Sequence, residues 1–254
     1  MELLGYLILG VAVAAFGTLV GIGGGLILVP LFILVFHWEP NLAVGTSLVV
    51  VFFNAISGTV AYMRQKKVYY DAGIRFALAT LPGAFFGSYA VKYIPEAEFK
   101  VFFGATLMVM AALMFWRNHS KGAPNKGTEV PKNYNRTAGV LLSLCVGFLS
   151  SILGIGGGII HVPAMVYLLA FPAHIATATS HFVLAISSMV GVFSHFLLHN
   201  ILIKEALMIG VGAVLGAQLG AKMSLKVKSK AILSLLAFCL FGLGARLVFT
   251  AGAF

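Results

Sequence analysis

One glycine cluster occurs twice in this chain, and it constrains everything else. Gly21-Ile22-Gly23-Gly24-Gly25-Leu26-Ile27-Leu28-Val29-Pro30 returns as Gly154-Ile155-Gly156-Gly157-Gly158-Ile159-Ile160-His161-Val162-Pro163, an offset of 154 − 21 = 133 residues. At the same offset Ala43-Val44-Gly45-Thr46-Ser47 returns as Ala176-Thr177-Ala178-Thr179-Ser180. Both copies lie in strongly apolar sequence. Glycine clusters in such a setting break helices at membrane depth, and one break per half is the pattern of a transporter built from repeats.

Composition fixes the class. The chain is 60% hydrophobic and 9% charged, with a mean hydropathy of +1.02; a soluble domain carries about a quarter charged residues. We expect an all-α, polytopic helical membrane protein. Leu3–Val20 lacks a basic n-region and a small-residue cleavage site and reads as mature sequence. The net charge of +10 sits in short loops between spans and suits membrane orientation, not nucleic acid. Cys145 and Cys239 lie inside apolar spans without metal-type spacing and read as buried thiols.

Ten apolar segments follow one another, five on each side of a hydrophilic stretch. They are Leu3–Val20, Leu26–Phe36, Leu42–Met63, Ala72–Val91 and Phe99–Trp116, then Thr137–Leu153, Ile159–Phe171, Ile175–Leu198, Ala206–Ala221 and Ala231–Phe249. The chain therefore divides into a repeat at 1–116, a cytoplasmic linker at 117–136 and a second repeat at 137–254. Leu26–Phe36 would reach roughly 16 Å as a helix, about half the hydrocarbon thickness. Each half thus begins with a helix, a glycine break and a half-helix.

The loop cations decide between parallel and inverted halves. If helix and half-helix form a hairpin, one side collects Arg64, Lys66, Lys67, the linker cations and Lys222, Lys226, Lys228 and Lys230, leaving only Lys92, Lys100 and Lys204 opposite. A single crossing by the pair spreads the cations more evenly. The Lys/Arg bias therefore favours inverted repeats, with the linker cytoplasmic and both termini outside.

Unwound backbone at membrane depth must be buried in protein or line a wet cavity. A helix starting just after the glycines points free N–H groups and a positive dipole end at whatever fills the gap, which favours an anion. Thr46-Ser47 and Thr179-Ser180 offer a second donor set per half, or cap their own helices. A tetrahedral oxyanion suits four helix starts converging near the midplane. The seven acidic residues all avoid the middle of a span, which argues against cation transport. Arg75, one turn inside a span, either joins the anion site or snorkels to the interface. His161 and His181 stand where the first half has Leu28 and Leu48, and with His195 they are candidates for proton coupling or simply satisfied core residues. His181 and His195 lie roughly 21 Å apart on one helix and cannot share a metal; no metal or cofactor is expected. Asn54 and Gln218, mid-span, read as cross-helix hydrogen bonders, and Gly83…Gly87 and Gly212…Gly216…Gly220 as close helix-packing faces.

At the duplicated Gly-Ile-Gly-Gly-Gly…Val-Pro and Ala-x-x-Thr-Ser patterns the sequence resembles the TauE/SafE family of sulfite exporters, also called the toluene sulfonate uptake permease family. The likeness covers nearly all the chain except the linker. It implies a secondary transporter of sulfite, sulfoacetate or other sulfonates, exporting by family analogy. The substrate residues it implies are Gly23, Gly24, Gly25, Thr46 and Ser47, with Gly156, Gly157, Gly158, Thr179 and Ser180. To these the residues themselves add His161, His181 and Arg75. The expected motion is a rocking of the two halves about a midplane site. The alternatives are a passive anion channel, a transporter of another small organic anion and, least favoured, an intramembrane enzyme. The partners are a small anion and the lipid bilayer, with a homodimer left open.

Overall fold

The computed structural model describes residues 2–21, 23–119, 130–131, 134–224 and 229–251. Most of the predicted linker, and the cations Lys226 and Lys228 used in the orientation argument, lie outside the described residues. The described residues form ten α-helices and no strand. They are α1 (Glu2–Val20), α2 (Gly25–Leu34), α3 (Pro40–Arg64), α4 (Tyr70–Ala90), α5 (Glu96–His119), α6 (Arg136–Leu153), α7 (Gly158–Tyr167), α8 (Ala173–Leu197), α9 (Ile203–Ser224) and α10 (Ser229–Ala251). Six are long and apolar enough to cross a membrane: α1, α3, α4, α6, α8 and α9. The chain is a polytopic helical membrane protein.

Local chemistry explains the helix limits. Pro40 opens α3 at a position where its missing N–H costs nothing. Asn135 caps α6 by accepting from the Ala138 N–H at 3.0 Å. α6 ends on Gly154 in the left-handed region.

The duplication is written into the backbone. His37 and Ala170 both turn with φ near 55°, as do Lys66 and His199. Each pair is 133 residues apart (170 − 37 and 199 − 66). Helix contacts repeat as well. α1 packs on α9 as α6 packs on α4, and α3 packs on α9 as α8 packs on α4. At the centre α3 meets α8 antiparallel, because Gly45 lies against His195 while Gly58 lies against His181.

Glycine lets these helices approach. A Cβ at Gly212, Gly216 or Gly220 of α9 would lie 2.2–2.3 Å from the carbonyl oxygens of Leu7, Val11 and Ala15 on α1. Gly83 and Gly87 of α4 meet Leu144 and Phe148 of α6 in the same way. These are the small-residue faces read from sequence, and they do pack helices. Their partners, however, come from the other half. One bundle gathers α1, α2, α3 and α9; the other gathers α6, α7, α8 and α4; α5 pairs with α10. The sequence halves interlock.

Candidate functional site

Each glycine cluster forms a tight turn that sends the chain back along its own helix. Gly21, Gly23 and Gly24 have φ of 91°, 81° and 84°; Gly154, Gly156 and Gly157 have 67°, 74° and 70°. Side chains with a Cβ rarely adopt these values. Gly24 lies against Val13 and Gly17 of α1, and Gly157 against Val146 and Ser150 of α6, their equivalents at the 133-residue offset. Each turn thus feeds a ten-residue helix, α2 or α7, directed back along the helix before it.

The two turns meet each other. A Cβ at Gly25 would lie 2.3 Å from the Gly154 carbonyl oxygen. Gly23 and Gly156 both abut Val51 of α3 and Leu184 of α8, an equivalent pair that closes over the crossing. Among the described residues, the N–H groups of Gly156, Gly157 and Ile159 at the start of α7 have no hydrogen-bond acceptor. They point the positive end of that helix at the crossing.

The Thr-Ser pairs staple each turn to the opposite half. Ser47 Oγ donates to the Gly154 carbonyl at 2.6 Å, and Ser180 Oγ to the Gly21 carbonyl at 3.4 Å. Thr46 Oγ1 accepts from Leu202 N at 3.0 Å, and Thr179 Oγ1 from Tyr69 N at 3.0 Å. All four side chains are fully buried. In this conformation the serine hydroxyls are therefore given to turn carbonyls and do not face an open cavity. The physical cause is plain: a broken helix leaves carbonyls unpaired at membrane depth, and the nearest hydroxyl satisfies them.

Arg75 pairs with a carboxylate on its own helix. Its side chain is half-exposed, and its Nε donates to Asp71 Oδ1 one turn earlier at 3.1 Å. Asp71 also accepts from the Tyr134 hydroxyl at 2.6 Å, with Arg136 Nε 3.8 Å off. Tyr134, the end of the predicted linker, is buried among Tyr69, Phe76 and Phe171. Burial first, and then the neighbouring carboxylate, push its phenol up to about 12.

The three histidines occupy separate sites. His161 Nε2 lies 3.0 Å from Ser143 Oγ, and its ring stacks on Phe76. His181 faces Gly58 and Tyr62, and His195 faces Gly45. Tyr62, edge-on to His181, and Thr18 and Asn54, linked to it by hydrogen bonds, escaped the sequence reading as a group. The 133-residue offset held a clue, since it pairs Tyr62 with His195. Gln218 Nε2 bonds the Ser57 carbonyl and hydroxyl across helices, as its mid-span position suggested. A separate cleft of about 260 Å³ lies between α5, α6 and α7, lined by Met110, Leu113, Trp116, Leu142 and Pro163 among others. Its lining is mostly apolar, with Trp116 and Tyr167 its polar side chains.

Comparison with known proteins places this chain in a family. The model of the family described as sulfite exporter TauE/SafE matches residues 6–247. The chain belongs to the TauE/SafE family. Its relatives include the probable membrane transporter protein YunE of Bacillus subtilis, 32% identical and covering 95% of this chain and 96% of that one. A probable membrane transporter protein of Methanocaldococcus jannaschii is 28% identical over 88% of this chain and 87% of its own. The ORF9 probable membrane transporter protein of Sinorhizobium is 29% identical over 97% and 93%. No solved structure matches the chain. The TauE/SafE match spans both glycine turns and both Thr-Ser staples, so the crossing belongs to the part of this protein that the family shares.

Proposed function

We propose that this TauE/SafE protein is a secondary transporter, and not an enzyme, that moves a small sulfur-containing anion such as sulfite or sulfoacetate. The site is the crossing of the two glycine turns. The observation that carries the reading is the set of unbonded N–H groups of Gly156, Gly157 and Ile159 at a buried helix start. Such donors answer the charge of an oxyanion and repel a cation. The family match supports the sulfur-containing class of substrate.

The halves are inverted repeats in this reading. Support comes from the turns that double back on α1 and α6, and from the antiparallel α3–α8 pair. The conformation is closed, with Val51 and Leu184 covering the turns. Access requires the two bundles, each built from both halves, to part along α3 and α8. That motion breaks the Thr-Ser staples on one side and frees their hydroxyls for the anion.

Binding in detergent to sulfite, sulfoacetate, taurine, sulfate and acetate tests the proposal, followed by flux in proteoliposomes. Binding of sulfite or sulfoacetate together with saturable flux is expected. Electrical conductance without saturation would replace the transporter with a pore, and preferential acetate binding would change the substrate class.

A further inference from the structure

His181 is fully buried, and neither ring nitrogen has a hydrogen-bond partner. The Thr177 carbonyl one turn earlier lies beside the ring but outside hydrogen-bonding geometry. Tyr62 packs edge-on to the imidazole with centroids 5.4 Å apart. The Tyr62 hydroxyl donates to the Thr18 carbonyl at 2.8 Å, and the Thr18 hydroxyl donates to Asn54 Oδ1. Asn54 Nδ2 is also buried without a partner. Gly58 makes room for the ring, since a Cβ there would lie 2.7 Å from His181 Cδ2.

The repeat shows that packing does not require this imidazole. The residue equivalent to His181 is Leu48, which lies against Gly191 as His181 lies against Gly58. Leucine thus fills the same slot in the other half without burying a polar atom. An unbonded buried imidazole is costly, and leucine would avoid that cost. The residues beside it on α8 reach the candidate site. Ser180 and Thr177, its neighbours on α8, both contact Gly21 of the first turn.

Among the described residues, the groups facing this pocket carry no charge. α1 supplies Thr18, α3 supplies Asn54 and Tyr62, and α9 supplies Ser224 beside Tyr62. α4 meets α8 elsewhere, at Thr179 and Phe182. On α8 itself His174 and His195 lie two turns before His181 and four turns after it. Among the described residues, Tyr62 is the other titratable group of the pocket.

We propose that His181 is the site at which proton uptake is coupled to anion binding, an inference that rests on the anion reading above. A lone anion at the turns is costly in an apolar interior, and an imidazolium beside it offsets that cost. One proton passes from bulk water to a free ring nitrogen as the anion binds, and returns to water when the anion leaves. His161 differs because its Nε2 already has Ser143.

The experiment adds sulfoacetate to purified protein in weakly buffered detergent solution. Binding is followed by calorimetry and proton uptake by an indicator dye. The wild type is expected to take up about one proton per anion bound, with affinity rising about tenfold per unit fall in pH where uptake occurs. His181→Leu, which copies the other half, and His181→Gln should each bind without proton uptake and with a flat pH profile. Wild-type binding without uptake, or uptake that persists in either folded variant, overturns the assignment of His181. Absence of wild-type binding to any anion of the panel overturns the functional reading and this inference with it.

Discussion

Ser47 and Gly154 are joined by a 2.6 Å hydrogen bond from hydroxyl to carbonyl, although 107 residues separate them in sequence. The contact fixes α3 of one half to the glycine turn of the other. Its counterpart, Ser180 to Gly21, is longer at 3.4 Å. Removing the donor leaves a carbonyl unpaired in a buried site, at a cost of about 1–3 kcal/mol. Ser47→Ala should therefore lower the thermal midpoint in detergent more than Ser180→Ala does. Equal midpoints for the two variants would remove the staple role of Ser47.

The α1–α9 contact depends on missing side chains. Gly216→Leu would drive a Cβ to 2.3 Å from the Val11 carbonyl oxygen, so monodisperse protein on gel filtration should largely disappear. Gly5 is the contrasting case, since a methyl group added there would meet no atom within 4 Å. Gly5→Ala should be neutral or stabilise by up to about 1 kcal/mol through helix propensity.

Gly157 has a φ of 70° and caps the start of α7. Alanine in the left-handed region costs about 1–2 kcal/mol, whereas asparagine tolerates it better. Gly157→Ala should weaken anion binding and stability more than Gly157→Asn. Isothermal titration and melting curves on both variants check the order.

Arg75 is half-exposed and pairs with Asp71. Arg75→Gln should leave anion affinity within about twofold, since an exposed ion pair contributes little. A loss of tenfold or more would bring Arg75 back to the binding site.

Tyr134 gives a pH signature outside the spans. Its phenol is pushed up to about 12 in the folded protein, against 10 in a free tyrosine. Between those values the unfolded chain has lost the proton and the folded chain keeps it. Stability is therefore fully present below pH 10 and falls as pH rises toward 12. Tyr134→Phe should be less stable at neutral pH, through loss of the bond to Asp71, and should lack that part of the alkaline decline in melting temperature.

Much of the helical architecture was legible because membrane spans are read from local composition. The segment read as Leu26–Phe36 became α2 (Gly25–Leu34), and that read as Ile159–Phe171 became α7 (Gly158–Tyr167). The glycine faces of α4 and α9 were legible as packing surfaces, but their partners were not. Nothing in Gly212, Gly216 and Gly220 names α1, because a small-residue stripe fits any helix that brings its own carbonyls close. The i,i+4 pair of Arg75 with Asp71 was legible from their spacing, though the sequence reading did not draw it.

The duplicated sequence alone determined that the chain spans a membrane, that its backbone breaks twice, and that the breaks are equivalent. Periodicity, hydropathy and the φ demands of glycine are local properties, so they survive without a structure. Only the tertiary structure decided what each break faces. It set Ser47 on Gly154, exchanged α4 and α9 between the bundles, and placed His181 rather than a leucine beside Tyr62. Those outcomes depend on which distant helices meet, and contacts between residues more than a hundred positions apart leave no imprint on the spacing of either one.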